Sequence, residues 1–279
     1  ETAIGDVLHS INHIEHELFL VVNNSGKIII IDDESFSYLE EISPLVSPRK
    51  IIKINNSKYY ITDIYSNSIH VYNRYNKSLS EIKVNGWCED LITYNGKAFV
   101  CNRENNQVYV IDCNNDLLID SIQVGENPVS IQEDKLNRLW ILSQGSSQNN
   151  TVGSISIIDP ISQTVTESFN LVNNGNSPSA LRIDKSSENV YFLCGDVYKL
   201  SSINDTLAEV IWINSGETFY NLEVDPYTND IYLCNAKDYV QNGKLLIIDS
   251  IGNLKNEVST GIIPCLLYTS DAADERRCV

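Results

Sequence analysis

Six segments of the chain can be laid over one another: "SINHIEHELFLVVNNSGKIIIID", "IIKINNSKYYITDIYSNSIHVYN", "LITYNGKAFVCNRENNQVYVID", "IQEDKLNRLWILSQGSSQNNTVGSISIID", "LRIDKSSENVYFLCGDVYKLS" and "LEVDPYTNDIYLCNAKDYVQNGKLLIID". A repeat of roughly 40 to 50 residues constrains the fold more than any local signal, because each copy is a unit that needs neighbours to bury its faces. Each copy opens with a short apolar strand and a turn such as "NNSK", "NGK" or "DPYTND". A second strand rich in Tyr, Phe, Val and Ile follows, then a polar loop. A third, alternating strand ends at Asp32, Asn73, Asp112, Asp159, Ser201 or Asp249, and a fourth resembles "LIDSIQVG". β-branched and aromatic runs bounded by Asn, Asp, Gly and Ser are strand signals, and the short polar spacers are hairpin signals. The expected fold is all-β, a β-propeller of four-stranded blades with six repeats over residues 1–264. No stretch of that range reads as a long amphipathic helix, which disfavours a doubly wound α/β fold.

Charge narrows the partners. The chain has 37 acidic against 20 basic residues, a net charge of −17, and no basic block. A phosphate backbone needs clustered Lys and Arg, so no nucleic-acid partner is expected. No apolar run approaches the roughly 18 residues of a spanning helix. The seven Cys include no C-x-x-C pair. Cys101, Cys194 and Cys234 close apolar strand runs, where Cys behaves as a small buried residue.

In a propeller, the loops from an outer strand to the next inner strand open on the same face as the loops between second and third strands. That top face carries the longest loops, and long loops on a rigid scaffold are where binding usually resides. The candidate ligand-binding residues there are Arg49, Tyr65, Trp87, Asp90, Asn102, Arg103, Gln144, Tyr220, Asn221, Asp238 and Tyr239. Aromatic groups with amides and Arg can stack on a flat ligand and hydrogen-bond its edges. An enzyme of this architecture needs carboxylates and amides converging from the inner strands on a metal. The corresponding positions Lys50, Asp90, Ser130, Ala180 and Asn221 hold one carboxylate, weak support for a Ca²⁺ site. "HIEH", His13 to His16, has ligand-like spacing but is placed on the turn between first and second strands, without a third ligand. No P-loop, G-x-S-x-G or H-E-x-x-H motif occurs, and neither a cofactor nor a catalytic constellation is expected.

The stretches "GDVLHSI", "SPRKIIKINNSKYYITDIYSNSIHVYN", "VYVIDCNNDLLIDSIQVGENPVSIQEDKLNRLWILSQG" and "LEVDPYTNDIYLCNAKDYVQNGKLLIIDSIGNL" resemble the YncE-like, YVTN-type β-propeller surface proteins of gut Bacteroidetes. The resemblance covers nearly all of residues 4–264. It implies seven blades, export to the outer-membrane surface or periplasm, and often a lipid anchor on an N-terminal Cys. Some members of that family capture cobalamin and pass it to a TonB-dependent transporter; many have no assigned ligand. Met is absent, position 1 included, so the expectation is a fragment or processed chain that lacks signal, anchor and first blade. The functional expectation is a non-enzymatic surface protein binding a small flat or corrinoid-like molecule. The alternatives are a propeller enzyme of lactonase or oxidoreductase type, and a protein-interaction scaffold.

The last stretch, "CLLYTSDAADERRCV" from Cys265 to Val279, continues none of these patterns. Its core resembles the translation of a transposase sequencing adapter. Residues 265–279 are therefore expected to be a non-native tail, absent from the gene when the locus is re-amplified.

Overall fold

The computed structural model describes residues 4–171, 175–203, 208–214, 216–262 and 264; the tail read as an adapter lies outside the described residues. Every regular element among the described residues is a β-strand, and the strands form six four-stranded antiparallel sheets. The first blade is β1 (Leu8–Ile14), β2 (Glu17–Val22), β3 (Lys27–Asp32) and β4 (Tyr38–Ile42); the second is β5 (Pro48–Lys53), β6 (Lys58–Asp63), β7 (Ser68–Asn73) and β8 (Ser78–Lys83). The third is β9 (Cys88–Tyr94), β10 (Lys97–Asn102), β11 (Gln107–Asp112) and β12 (Leu117–Gln123); the fourth is β13 (Pro128–Glu133), β14 (Leu139–Ser143), β15 (Ser154–Asp159) and β16 (Thr164–Asn170). The fifth is β17 (Ser179–Ile183), β18 (Asn189–Cys194), β19 (Asp196–Ser201) and β20 (Glu209–Trp212); the sixth is β21 (Phe219–Val224), β22 (Ile231–Asn235), β23 (Asn242–Ile248) and β24 (Leu254–Ile262). Strand order within each sheet follows chain order, so every blade is a meander of hairpins. These are the four-stranded blades of a β-propeller. The chain divides into two compact units, Glu1–Ile131 and Gln132–Val279.

Strand periodicity explains the packing within each unit. Successive side chains of a strand point to opposite faces, and a second strand lies between two neighbouring blades. In β6, Tyr59 and Ile61 join Phe19, Val21, Ile28 and Ile30 of the first blade, while Tyr60 between them joins Cys88, Leu91, Ala98 and Val100 of the third. In the second unit, Phe192 of β18 packs with Trp140, Leu142 and Ile155 of the fourth blade, and its neighbours Tyr191 and Leu193 pack with Leu222, Ile231 and Leu233 of the sixth. A strand buried on both faces reads as a continuous apolar run, which is why "FLVV", "YYIT" and "LWIL" carry no alternation. Outer strands have one neighbour, and β12 is exposed along nearly its whole length.

Charged staples join adjacent blades. Asp116 accepts from Lys58 Nζ at 2.6 Å and from the Tyr60 hydroxyl. Arg74 donates Nη2 to Glu17 at 2.6 Å. In the second unit one carboxylate organises each turn after an inner strand: Asp134 accepts from Leu136 N, Arg138 N, Arg138 Nε and Trp140 Nε1 at 2.8, 2.9, 2.9 and 2.8 Å. Asp184 accepts from Glu188 N and Asn189 N at 3.1 and 3.2 Å, and Asp225 from Tyr227 N and Thr228 N at 2.8 and 2.9 Å. A carboxylate two residues before an amide closes such a turn locally, so the Asp of "EDKLNR", "DKSSEN" and "DPYTND" is structural.

One local expectation changes and another holds. His13 belongs to β1 rather than to the turn, and its Nε2 lies 2.6 Å from Asp33 Oδ2, so the "HIEH" pair is split between strand and turn. All five described cysteines are buried. Burial pushes the Cys88 thiol up to about 12, which leaves it protonated and inert at neutral pH.

Candidate functional site

In the first unit, the inner strands begin on the face that also carries the loops between second and third strands. At corresponding positions β1 presents His9 and Ser10, β5 presents Arg49 and Lys50, and β9 presents Glu89 and Asp90. Register shifts fall at this level in all three pairings: between Leu8 and Ser10, between Pro48 and Lys50, and opposite Val100 and Asn102. Bulges re-aim side chains out of strict alternation, and here they accompany consecutive polar residues that meet their neighbours.

The result is an ionic cluster centred on Glu89, whose side chain is 9% exposed. Its Oε1 accepts from Arg49 Nε at 2.7 Å and from Arg49 Nη2; its Oε2 accepts from Arg103 Nη1 at 3.3 Å. Beside it, Lys50 Nζ lies 2.7 Å from Asp90 Oδ1, and Asp90 Oδ2 accepts from Ile131 N at 3.1 Å. The backbone is held as firmly: Thr62 Oγ1 donates to Glu89 O at 2.6 Å, and Ser10 Oγ to Arg49 O at 2.6 Å. Low local dielectric strengthens each hydrogen bond of such a network.

His9 completes the cluster, with Nε2 3.7 Å from Glu89 Oε1. Burial first, and then the Arg49 cation, lower its proton affinity to about 3, against a smaller opposing pull from Asp90. The imidazole is therefore neutral at physiological pH. Its folded pKa lies below the unfolded 6.5, so between those values the unfolded chain binds more protons and stability falls as pH falls, by at most about 1.4 kcal/mol per pH unit. Exchanging His9 for Gln is expected to flatten the drop in urea midpoint between pH 6.5 and 5 relative to the parent chain; parallel curves for the two proteins would contradict it.

Two aromatic side chains stand at the rim. Tyr65 and Trp87 are 58% and 40% exposed and meet edge-to-face with ring centroids 5.3 Å apart. Trp87 is tied to the cluster through its carbonyl, which accepts from Arg103 N at 2.8 Å. Tyr65 is tied through Asp63, which accepts from Tyr65 N at 3.2 Å, from Val46 N at 2.9 Å and from Ser47 N at 2.9 and 3.0 Å. Burial works to raise the Asp63 pKa, but the adjacent His70 imidazole and these N–H donors outweigh it and hold the carboxyl below its usual range. One buried carboxylate thus fixes both the loop that carries Tyr65 and the loop that leads into Arg49.

Of the residues expected on this face, Arg49, Tyr65, Trp87, Asp90 and Arg103 come together in the first unit. Asn102 does not serve as an open ligand contact. It is fully buried, its Nδ2 donates to Asn85 O at 2.6 Å and its Oδ1 accepts from Asn105 N at 2.9 Å, so it shapes the loop before Trp87. In the second unit, Tyr220 and Tyr239 meet edge-to-face at 6.5 Å. Asp238 accepts from Val240 N and Gln241 N at 3.1 and 2.9 Å, which makes it the turn that presents Tyr239. Asn221 Oδ1 accepts from Leu222 N at 2.9 Å, and Gln144 Nε2 donates to Pro178 O at 3.2 Å. Sequence reasoning missed Glu89, His9 and the ion pair of Arg182 Nε with Glu223 Oε2 at 2.8 Å.

No protein-family model matches the chain, and no curated protein does. Solved structures do. The hydrazine synthase of Kuenenia stuttgartiensis is similar with a TM-score of 0.77 at 16% identity, over 90% of this chain and 85% of that one. A quinonprotein alcohol dehydrogenase-like protein from Bacteroides thetaiotaomicron gives 0.72 at 14% identity, over 90% of this chain and 65% of that one. A chain of the mitotic checkpoint complex gives 0.71 at 8% identity, over 90% and 79%. This likeness carries the β-propeller fold and does not reach the YncE-like group. The neighbours include enzymes and a chain of a checkpoint complex, so the fold does not choose between catalysis and binding; the site has to.

Proposed function

We propose that this chain is a non-enzymatic ligand-binding β-propeller, and that the face of the first unit takes a small flat molecule. The observation that carries this reading is the exposed Tyr65–Trp87 pair, set edge-to-face beside an ionic cluster whose members are locked by one another. Rigid aromatic anchors give contact area at little entropic cost, and fixed polar groups orient the ligand. A hydrolytic reading needs carboxylates free to converge on a cation or substrate. Here Glu89 is engaged by two guanidiniums and Asp90 by Lys50, which supports binding over hydrolysis.

The resemblance to YncE-like surface proteins extends the proposal to a corrinoid as ligand. It also suggests an exported location at the outer membrane and a TonB-dependent transporter as receiver. Isothermal titration with cobalamin and cobinamide tests the ligand. The Trp87→Ala variant is expected to lose about 10- to 100-fold in affinity, the scale of a central aromatic anchor, while its thermal midpoint stays within about 2 °C of the parent because Trp87 lies at the rim. Saturable corrinoid binding that is untouched by this change would move the site elsewhere.

A further inference from the structure

We infer that the ligand of this face carries an anionic oxygen group, a carboxylate or a phosphate, received by Arg49 with Arg103 and Lys50 around it. This rests on the binding reading above and names the chemistry that reading leaves open.

Charge counting gives the first reason. The cluster holds three cations, Arg49, Lys50 and Arg103, against two carboxylates, Glu89 and Asp90, and the imidazole of His9 is neutral. The ionised Asp63, which closes the loop leading into Arg49, makes the count even, so this face is locally neutral on a chain whose net charge is −17. At long range the protein repels anions, and screening confines that field to about 8 Å at physiological salt. Attraction for an anion must therefore be local to this cluster.

Donor counting gives the second. A guanidinium has five N–H donors in a fixed fork. Arg49 spends Nε and Nη2 on a single oxygen of Glu89, and its Nη1 makes no hydrogen bond among the described residues. The side chain is 17% exposed, so the spare edge is held in a partly desolvated place. Glu89 fixes the plane of the fork during folding, so binding need not order it. A carboxylate or phosphate oxygen matches that edge in geometry and charge.

The test uses the full chain and three fluorescent flat probes of nearly one shape: 1-pyrenecarboxylate, 1-pyrenyl phosphate and the neutral 1-pyrenecarboxamide. At least one anionic probe is expected to bind about 10-fold tighter than the amide at low salt, the scale of one charge-assisted hydrogen bond. Which anion leads separates a carboxylate ligand from a phosphate ligand. The advantage should shrink with added salt and vanish in Arg49→Gln, with near-ultraviolet circular dichroism confirming that this variant is folded. The ratio in the parent chain stands without any variant. Equal affinity for all three probes overturns the inference and leaves the binding reading intact, whereas binding of none counts against both.

Discussion

Glu89→Ala is expected to lower the thermal midpoint by about 6 °C or more, equivalent to about 3 kcal/mol for a chain of this size. The carboxylate is almost fully buried and serves Arg49 and Arg103 together, with side-chain exposures of 17% and 27% for the two cations. Removing it takes a shared carboxylate from two guanidiniums in a partly desolvated place, and the cost of holding their charge there without it, rather than the lost attraction, dominates. Glu89→Gln separates the two effects: it keeps an oxygen acceptor near Arg49 Nε and should lose less than the alanine variant. Thermal scans of the three proteins decide the matter. A change below about 0.5 kcal/mol in Glu89→Ala would mean that water satisfies the guanidiniums and that the cluster is not preorganised.

Asp134→Ala is expected to be at least as costly, at about 3 to 5 kcal/mol, and to act on the second unit. Its side chain has no exposure and closes four hydrogen bonds at once. One of them comes from the indole of the fully buried Trp140, which would be left as a buried donor without a partner. Arg138, which also donates to Ser202 O on the fifth blade, would lose the partner that orients it. Asp134→Asn retains an acceptor and should recover part of the loss. Urea unfolding monitored by tryptophan fluorescence reads the effect; an unchanged midpoint in the alanine variant would show that the turn does not depend on this carboxylate.

Much of the fold was legible because propeller packing repeats along the chain. Third strands were expected to end at Asp32, Asn73, Asp112, Asp159, Ser201 and Asp249, and β3, β7, β11, β15 and β19 end there, with β23 closing one residue earlier at Ile248. The aromatic pairs Tyr65–Trp87 and Tyr220–Tyr239 were legible as exposed loop aromatics, although nothing in the sequence paired them. Glu89 was not legible, because the inner-strand positions compared across the repeats include Asp90 and assign Glu89 no role; the register shift that changes this is a backbone feature without a residue signature. Asn102 misled for a related reason. A polar residue at a loop entrance reads as exposed, yet its amide turns inward to satisfy the backbone of the preceding crossover. Contacts such as His13 with Asp33 join positions 20 apart in sequence and follow only from strand pairing.

Ligand is expected to meet the Tyr65–Trp87 rim of the first unit. The chain has three tryptophans, Trp87, Trp140 and Trp212, so its indole N–H signals in a two-dimensional ¹⁵N spectrum can be assigned with a Trp87→Phe variant. On titration with cobalamin or 1-pyrenecarboxylate, the Trp87 signal is expected to shift with saturation while the signal of buried Trp140 stays in place. A ligand that binds with saturation and leaves the Trp87 indole unmoved would contradict the account.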